Sequence, residues 1–210
     1  TQRNLTSNVL AILETFPRRP DDLQLSWLPW SHIFARTCDL YLWIAGGCEL
    51  ALSESPDSVL TDCRRVKPTL INGVPYFWEK VVRHLTEGGK KPAPDALKKL
   101  LGGRIRFCGS GGAALPEHVA AFYQEHGVAL AEGYGLTETS PVITFSTPEI
   151  MKIGAVGQPI PGVEVKIAAD GEILTRGPHV MRGYWKRPDA TTEVLRDGWF
   201  HTGDLGSLDE

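Results

Sequence analysis

Val128-Ala129-Leu130-Ala131-Glu132-Gly133-Tyr134-Gly135-Leu136-Thr137-Glu138-Thr139-Ser140-Pro141 is the stretch that decides how this chain folds. Its first four residues form an apolar run long enough for one buried strand, and the glycines behind them free the backbone to turn sharply. A strand that runs into such a turn reads as part of an open α/β sheet, where ligands sit at the carboxyl ends of strands. The side chains in the turn suit a nucleotide. Tyr134 offers a flat face to a purine, Thr137 a hydroxyl to a phosphate oxygen, and Glu138 the hard oxygen that Mg²⁺ accepts beside phosphates and waters. Taken alone, the same string also reads as a loop with a helix-capping Thr137 and a solvated Glu138.

Working outward, Leu5, Val9, Ile12, Leu13 and Phe16 recur at helical spacing until Pro17. The segment from Leu25 to Pro29 reads as a strand, and a helix starting near Ser31 runs towards Gly46, which places His32 in its first turn. Ser55-Pro56 opens a helix through Val66, Leu70-Ile71 is a strand, and Pro75 opens a helix to about Leu85. Gly88 to Pro94 is an exposed loop. Arg104 to Cys108 is a strand entering the glycine turn Ser110-Gly111-Gly112-Ala113, and Pro116 begins a helix stopped at Gly127. This alternation predicts an α/β layered domain with a largely parallel sheet over residues 1–148. Beyond Pro148 the grammar changes: Val163 to Ile167 alternates with period two, Asp170-Gly171 is a hairpin turn, and Glu172 to Thr175 follows. Residues 149–210 are therefore expected to form an antiparallel β subdomain, distorted and barrel-like, with one short helix after Arg187.

A second chemical motif lies in that subdomain. Asp197-Gly198-Trp199-Phe200-His201-Thr202-Gly203-Asp204-Leu205 is an Asp-Gly turn followed by a strand ending at Gly203-Asp204. The two carboxylate oxygens of Asp204 suit the vicinal diol of a ribose. Composition adds exclusions. With 210 residues, 42% of them hydrophobic, and a net charge of −3, the chain can bury a sizeable core and carries no charge excess of the kind nucleic acid or acidic lipid attracts. Its longest apolar stretch, Leu40 to Cys48, is far too short to span a bilayer. Cys38, Cys48, Cys63 and Cys108 lack the close pairing of a zinc or redox site and are expected as buried thiols of a cytoplasmic protein.

Together with Ser110 to Leu115 and the run from Gly171 through Gly183-Tyr184-Trp185, these strings resemble the adenylate-forming enzymes: acyl-CoA synthetases, luciferases and peptide-synthetase adenylation domains. The resemblance implies that Tyr134 stacks on adenine, with Gly111, Gly112 and Ala113 closing the other side of the ring and Gly133 and Gly135 flanking it. It further implies that Thr137 bonds the α-phosphate of ATP or AMP, that Glu138 holds Mg²⁺, and that Asp204 takes the ribose hydroxyls. The reaction implied is attack of a carboxylate on the α-phosphorus of ATP, followed by capture of the acyl-adenylate by coenzyme A. His32 resembles the histidine that acyl-CoA synthetases place beside the substrate carboxylate. Leu28 to Phe34 and Pro68 to Lys80 are similar to the long-chain fatty acyl branch, and Trp30, Phe34, Ile71, Tyr76, Phe77 and Trp78 are the aromatics and aliphatics available for an acyl tunnel.

The chain begins at Thr1, just after the point where the family carries its phosphate loop and lysine, and ends at Glu210, before the family's hinge and C-terminal domain. It is therefore expected to be a segment of an ATP-dependent long-chain fatty acid–CoA ligase, nearly inactive in isolation. The parent is expected in the cytoplasm, with peripheral membrane association open, and oligomeric state is not legible. Two alternatives stand beside this reading: an adenylate-forming enzyme that delivers a fatty acyl group to a carrier protein, and a non-catalytic nucleotide-binding or scaffold module. A plain structural α/β domain would have no pocket where the two motifs meet.

Overall fold

The computed structural model describes residues 1–209. α1 (Gln2–Thr15) is followed by β1 (Leu23–Ser26) and by α2, residues 33–46, in which α-helical ends flank a π-helical stretch (Arg36–Tyr41). Then come β2 (Glu49–Leu52), α3 (Val59–Val66), β3 (Leu70–Gly73), α4 (Pro75–Thr86), α5 (Ala96–Leu100), β4 (Phe107–Ser110), α6 (Glu117–Glu125) and β5 (Leu130–Gly135). β6 (Val142–Phe145), β7 (Gln158–Pro159), β8 (Glu164–Ile167), β9 (Glu172–Arg176), α7 (Pro188–Val194), β10 (Leu195–Arg196) and β11 (Trp199–Leu205) complete the chain.

Seven strands form one sheet in the order β2-β1-β3-β4-β5-β6-β7, and four form a second in the order β10-β11-β9-β8. Pairing is parallel from β2 across to β5, with Leu70 opposite Phe107 and Cys108 opposite Leu130, and antiparallel for β5–β6 and β6–β7. The four-stranded sheet is antiparallel throughout. Its hairpin at Asp197-Gly198 holds both residues at positive φ, 52° and 78°, the two-residue turn whose twist matches the flanking strands.

Period-two alternation sends the strands' side chains to opposite faces of the large sheet. Leu25, Ile71, Cys108 and Leu130 point into a core with Val59 and Cys63 of α3, Trp78 and Val81 of α4, and Val119 and Tyr123 of α6. Leu70, Phe107 and Ala131 point the other way, against Phe16. On that side Val9 and Ile12 of α1 pack with Cys38 and Leu42 of α2 and Val142 of β6. Asn8, 1% exposed, fastens α1 to the sheet: its Nδ2 donates to the Val142 carbonyl at 2.7 Å and its Oδ1 accepts from Val142 N at 3.2 Å.

Several sequence expectations are corrected. β1 stops at Ser26, short of Pro29, because the chain leaves the sheet at the turn that starts α2. His32 caps α2 and does not lie inside its first turn. Gly133 and Gly135 continue β5 as extended strand and do not turn; the reversal comes one step later, at residues 136–140. Gly135 is needed there for closeness, since a Cβ on it would sit 1.9 Å from the Pro141 carbonyl oxygen. β6 and β2 had no expectation at all. The last strand of the large sheet, β7, comes from beyond residue 150, on the far side of the composition change.

Candidate functional site

β5 delivers Tyr134 and the flanking glycines to the carboxyl edge of the parallel strands, and the tight turn behind it presents Thr137 and Glu138. Thr139 locks that turn, its hydroxyl accepting from Leu136 N at 2.9 Å and donating to the Pro141 carbonyl at 2.5 Å. Next along the sheet, β4 runs into Gly111 and Gly112, the latter at φ 84°. Glu132, also on β5, holds this neighbouring turn by accepting from Leu115 N at 2.9 Å, and burial raises its carboxyl above the ordinary range.

Two cavities meet here. One, of 270 Å³, lies between α1, α2 and the sheet, with Ile12, Phe16, Phe34, Leu42, Phe107 and Val142 among its apolar walls. His32, Thr137 and Glu138 also border it. The other, of 760 Å³, lies between the end of β5 and the four-stranded sheet, bordered by Ala113, Glu132, Val165, Ile173 and Asp204. Gly112, Gly133, Tyr134, Gly135 and Leu136 border both. A single wall of backbone and one phenol thus separates an apolar chamber from a wider, more polar one.

Tyr134 and Asp204, 70 residues apart, are joined by a 2.7 Å hydrogen bond from the phenol to Oδ2. Burial first, and then the carboxylate that takes its proton, hold the Tyr134 hydroxyl well above its ordinary pKa, so it remains a donor. Both carboxylate oxygens of Asp204 were expected to be free for a diol; one is shared with Tyr134, which leaves Oδ1 and the remaining lone pair of Oδ2. Glu138 has a partner of its own: Tyr184 donates to its Oε1 at 2.9 Å, and its backbone oxygen accepts from Met181 N at 2.7 Å. The loop before α7 therefore steadies the turn after β5. Thr137 is exposed.

His32 borders the apolar chamber, with Nδ1 accepting from Phe34 N at 3.2 Å. An accepting Nδ1 puts the neutral ring's proton on Nε2, where it is available to a ligand carboxylate. Gly111 makes room for Phe34, whose ring an added Cβ would meet at 3.2 Å.

The structure thus brings Gly111, Gly112, Ala113, Gly133, Tyr134, Gly135, Thr137, Glu138, Asp204 and His32 to the two joined cavities. It does not do so for most of the expected tunnel residues. Ile71, Phe77 and Trp78 belong to the core on the opposite face, Tyr76 is 67% exposed, and the Trp30 indole donates to Ser26 Oγ at 3.0 Å; of the six, Phe34 alone borders the chamber. The helical stripe of α4 is consumed by packing on the sheet.

Sequence reasoning missed the groups beneath the chamber. Asp39 is fully buried in the π-helical stretch of α2, its Oδ1 accepting from Asn72 Nδ2 at 2.7 Å and Gln24 Nε2 at 3.1 Å, its Oδ2 from Ser26 Oγ at 2.7 Å. Burial pushes its carboxyl up to about 6 against the pull of those hydrogen bonds. A charged residue flanked by Thr37-Cys38 and Leu40-Tyr41-Leu42 was the available signal. Glu132, one residue before the motif core, gave none, and Tyr184 entered only as part of the Gly183-Tyr184-Trp185 string, with no role assigned to it.

The fold is that of the N-terminal domain of adenylate-forming enzymes. The family model "AMP-binding enzyme" matches residues 1–185, and the chain belongs to that family. Over its whole length the chain is 33% identical to a long-chain-fatty-acid–CoA ligase, FadD15, of Mycobacterium bovis, of which it covers 42%. It is 34% identical to a feruloyl-CoA synthase of an Amycolatopsis species, covering 43%. Among solved structures, o-succinylbenzoate CoA synthetase from Bacillus subtilis in complex with AMP superposes on the entire chain with a TM-score of 0.82 at 28% identity, the chain covering 44% of it. The chain spans about two-fifths of the length of the curated relatives it matches.

Proposed function

We propose that this chain forms the nucleotide- and acyl-binding part of an ATP-dependent acid–thiol ligase that activates a carboxylic acid with an apolar acyl chain as its acyl-adenylate for transfer to coenzyme A. The observation that carries the reading is the shared wall: the Gly133–Leu136 backbone and Tyr134 stand between an apolar chamber and a polar one, so a carboxylate in the first and a nucleotide phosphate in the second approach each other at Thr137. Residues 1–148 supply the acyl chamber, and residues 149–210 swing Asp204 over the nucleotide.

In this reading adenine lies between the Tyr134 ring and the Gly111–Ala113 turn, and the ribose hydroxyls donate to Asp204. The substrate carboxylate accepts from His32 Nε2–H, which orients one oxygen towards the α-phosphorus. That oxygen forms the new bond to phosphorus while the bond to the bridging oxygen breaks and pyrophosphate leaves. The Thr137 hydroxyl donates to an α-phosphate oxygen as the two anions meet. One carboxylate with phosphates and waters is an adequate ligand set for Mg²⁺, and Glu138 retains an oxygen, Oε2, beyond its bond to Tyr184; a bound Mg²⁺ would offset phosphate charge.

Calorimetric titration of the purified chain with AMP and with an acyl-sulfamoyl adenosine tests the reading. The acyl analogue should bind more tightly than AMP, and Asp204→Ala should weaken both by about 10- to 100-fold, the worth of hydrogen bonds to a charged group. Titrations that stay flat at millimolar ligand would refute it.

A further inference from the structure

The polar side chains that border the apolar chamber include, beside Asn72 and Ser110, an arginine. Arg18, in the connection between α1 and β1, borders it beside Phe16, Cys38 and Leu42. The arginine's stem is pinned in place: a Cβ on Gly46 would meet its Cγ at 2.6 Å, so the end of α2 lies directly against it. Its guanidinium has five N–H donors, and the protein meets them with a single long hydrogen bond, from Nη2 to the Cys38 carbonyl at 3.4 Å. No carboxylate of the described residues lies within ion-pair distance. The two nearby acids are spoken for. Asp22 takes a 2.5 Å contact from Arg106 as well as Arg19 N, and Asp39 takes Gln24, Ser26 and Asn72.

Position adds direction. The chamber is bordered by Gly111 just past the carboxyl end of β4 and by His32 beyond β1, and also by Phe107 at the start of β4, whose ring lies 4.7 Å from that of Phe16. Gly111 lies four positions on from Phe107, about 13 Å at a strand's rise. On the other wall, Cys38 lies six residues along α2 from His32, at most about 9 Å down the helix. Arg18 therefore stands roughly the length of a short acyl chain away from the group that receives the reacting carboxylate. With one protein partner, the half-buried guanidinium leaves its other donors to water in the chamber and to an acceptor on a ligand that displaces that water.

We propose that Arg18 is a specificity-determining residue that receives an anionic group at the far end of the acyl substrate, so that the preferred acids carry a second carboxylate or comparable acceptor opposite the one that is activated. The proposal rests on the reading of this chamber as the acyl site. A simple fatty acid would leave the guanidinium unpaired, whereas an α,ω-diacid of matching length gives it a bidentate partner.

The experiment is a binding comparison on the purified chain, using octanoate, dodecanoate and the corresponding diacids, each read by displacement of an acyl-sulfamoyl adenosine. In the wild type one diacid should bind at least 10-fold more tightly than the monoacid of equal length. Arg18→Gln should bring the ratio of diacid to monoacid affinity down to about one, and Arg18→Lys, which keeps the charge should the glutamine variant fold poorly, should retain part of the wild-type ratio. Monoacids that displace the analogue as well as their diacids do, in wild type and variants alike, would overturn the proposal and leave the acyl reading standing. If neither class displaces the analogue, the acyl reading falls and the proposal with it.

Discussion

Replacing Asp39 by Asn removes a charge from beneath the chamber while keeping the shape that three neighbours require. An asparagine oxygen still accepts from Asn72 and Gln24, and its amide can donate to Ser26 Oγ, whose proton rotates away. What changes is the dependence on pH. Burial displaces Asp39 ionisation from 3.8 to about 6, which at about 1.4 kcal/mol per decade is worth about 3 kcal/mol. The folded state holds this proton more tightly than the unfolded chain, so the contribution is present below 3.8 and is lost as pH rises through about 6. Of that loss, about 2 kcal/mol falls between pH 4 and 7. His179, 1% exposed with its Nε2 against Thr175 Oγ1 at 3.0 Å, has the opposite slope. Burial lowers its pKa from 6.5 to about 4, so its contribution is present above 6.5 and is lost as pH falls towards 4. In the wild type the two slopes oppose each other across the same window. Urea unfolding at intervals from pH 4 to 7 should show Asp39→Asn gaining about 2 kcal/mol on the wild type as pH rises, with the acid-side fall due to His179 exposed. A stability difference that stays constant across that range would refute the reasoning, since it would mean that Asp39 titrates alike in the folded and unfolded chains.

Three further outcomes follow from the packing. Asn8→Ala breaks both bonds between α1 and β6 and leaves the Val142 N–H and carbonyl buried without partners, a loss of about 2–3 kcal/mol by urea unfolding. Tyr123→Phe removes a buried hydroxyl that has no hydrogen-bond partner while keeping its edge contact with Trp78 at 5.7 Å, and should raise stability by about 1 kcal/mol, read as a higher urea midpoint with unchanged slope. Gly135→Ala forces the strand away from the Pro141 carbonyl, so AMP binding measured by calorimetry should be lost even in molecules whose circular dichroism shows a folded chain.

How far the sequence could be read depended on whether a signal was local. The Asp197-Gly198 turn, the alternation of β8 and β9 and the apolar stripes of α1, α4 and α6 are set by neighbouring residues, and each lies where the pattern placed it. The motif residues were legible too, because turns that present side chains at strand ends need glycine and short polar residues in close order. The failures share a different cause. Glycine is a breaker by propensity, so Gly133-Tyr134-Gly135 read as a turn, yet at Gly135 the missing side chain serves tertiary contact, since a Cβ there would lie 1.9 Å from the Pro141 carbonyl oxygen. The aromatics of α4 could not be assigned to core or cavity from spacing, since both uses put an apolar stripe on one helical face.

The same distinction explains where the chamber comes from. On the face of β4 that looks towards α1 and α2, Phe107 is followed two and four residues on by Gly109 and Gly111, so the strand offers a ring at its start and bare backbone towards its end. Asn72 Oδ1 comes so close to Gly109 that a Cβ there would lie 2.2 Å away, and Phe34 occupies the space over Gly111. α2 is held off the sheet by polar bonds from buried Asp39 to β1 and β3 in place of close apolar contact. Filling the space with side chains would have given a tighter core at the cost of the chamber; the buried carboxylate, with its raised pKa and three fixed partners, is the structural signature of that choice. It follows that substitutions at Asp39, Asn72 and Ser26 should reach ligand affinity through the position of α2, although Asp39 and Ser26 themselves do not border the cavity.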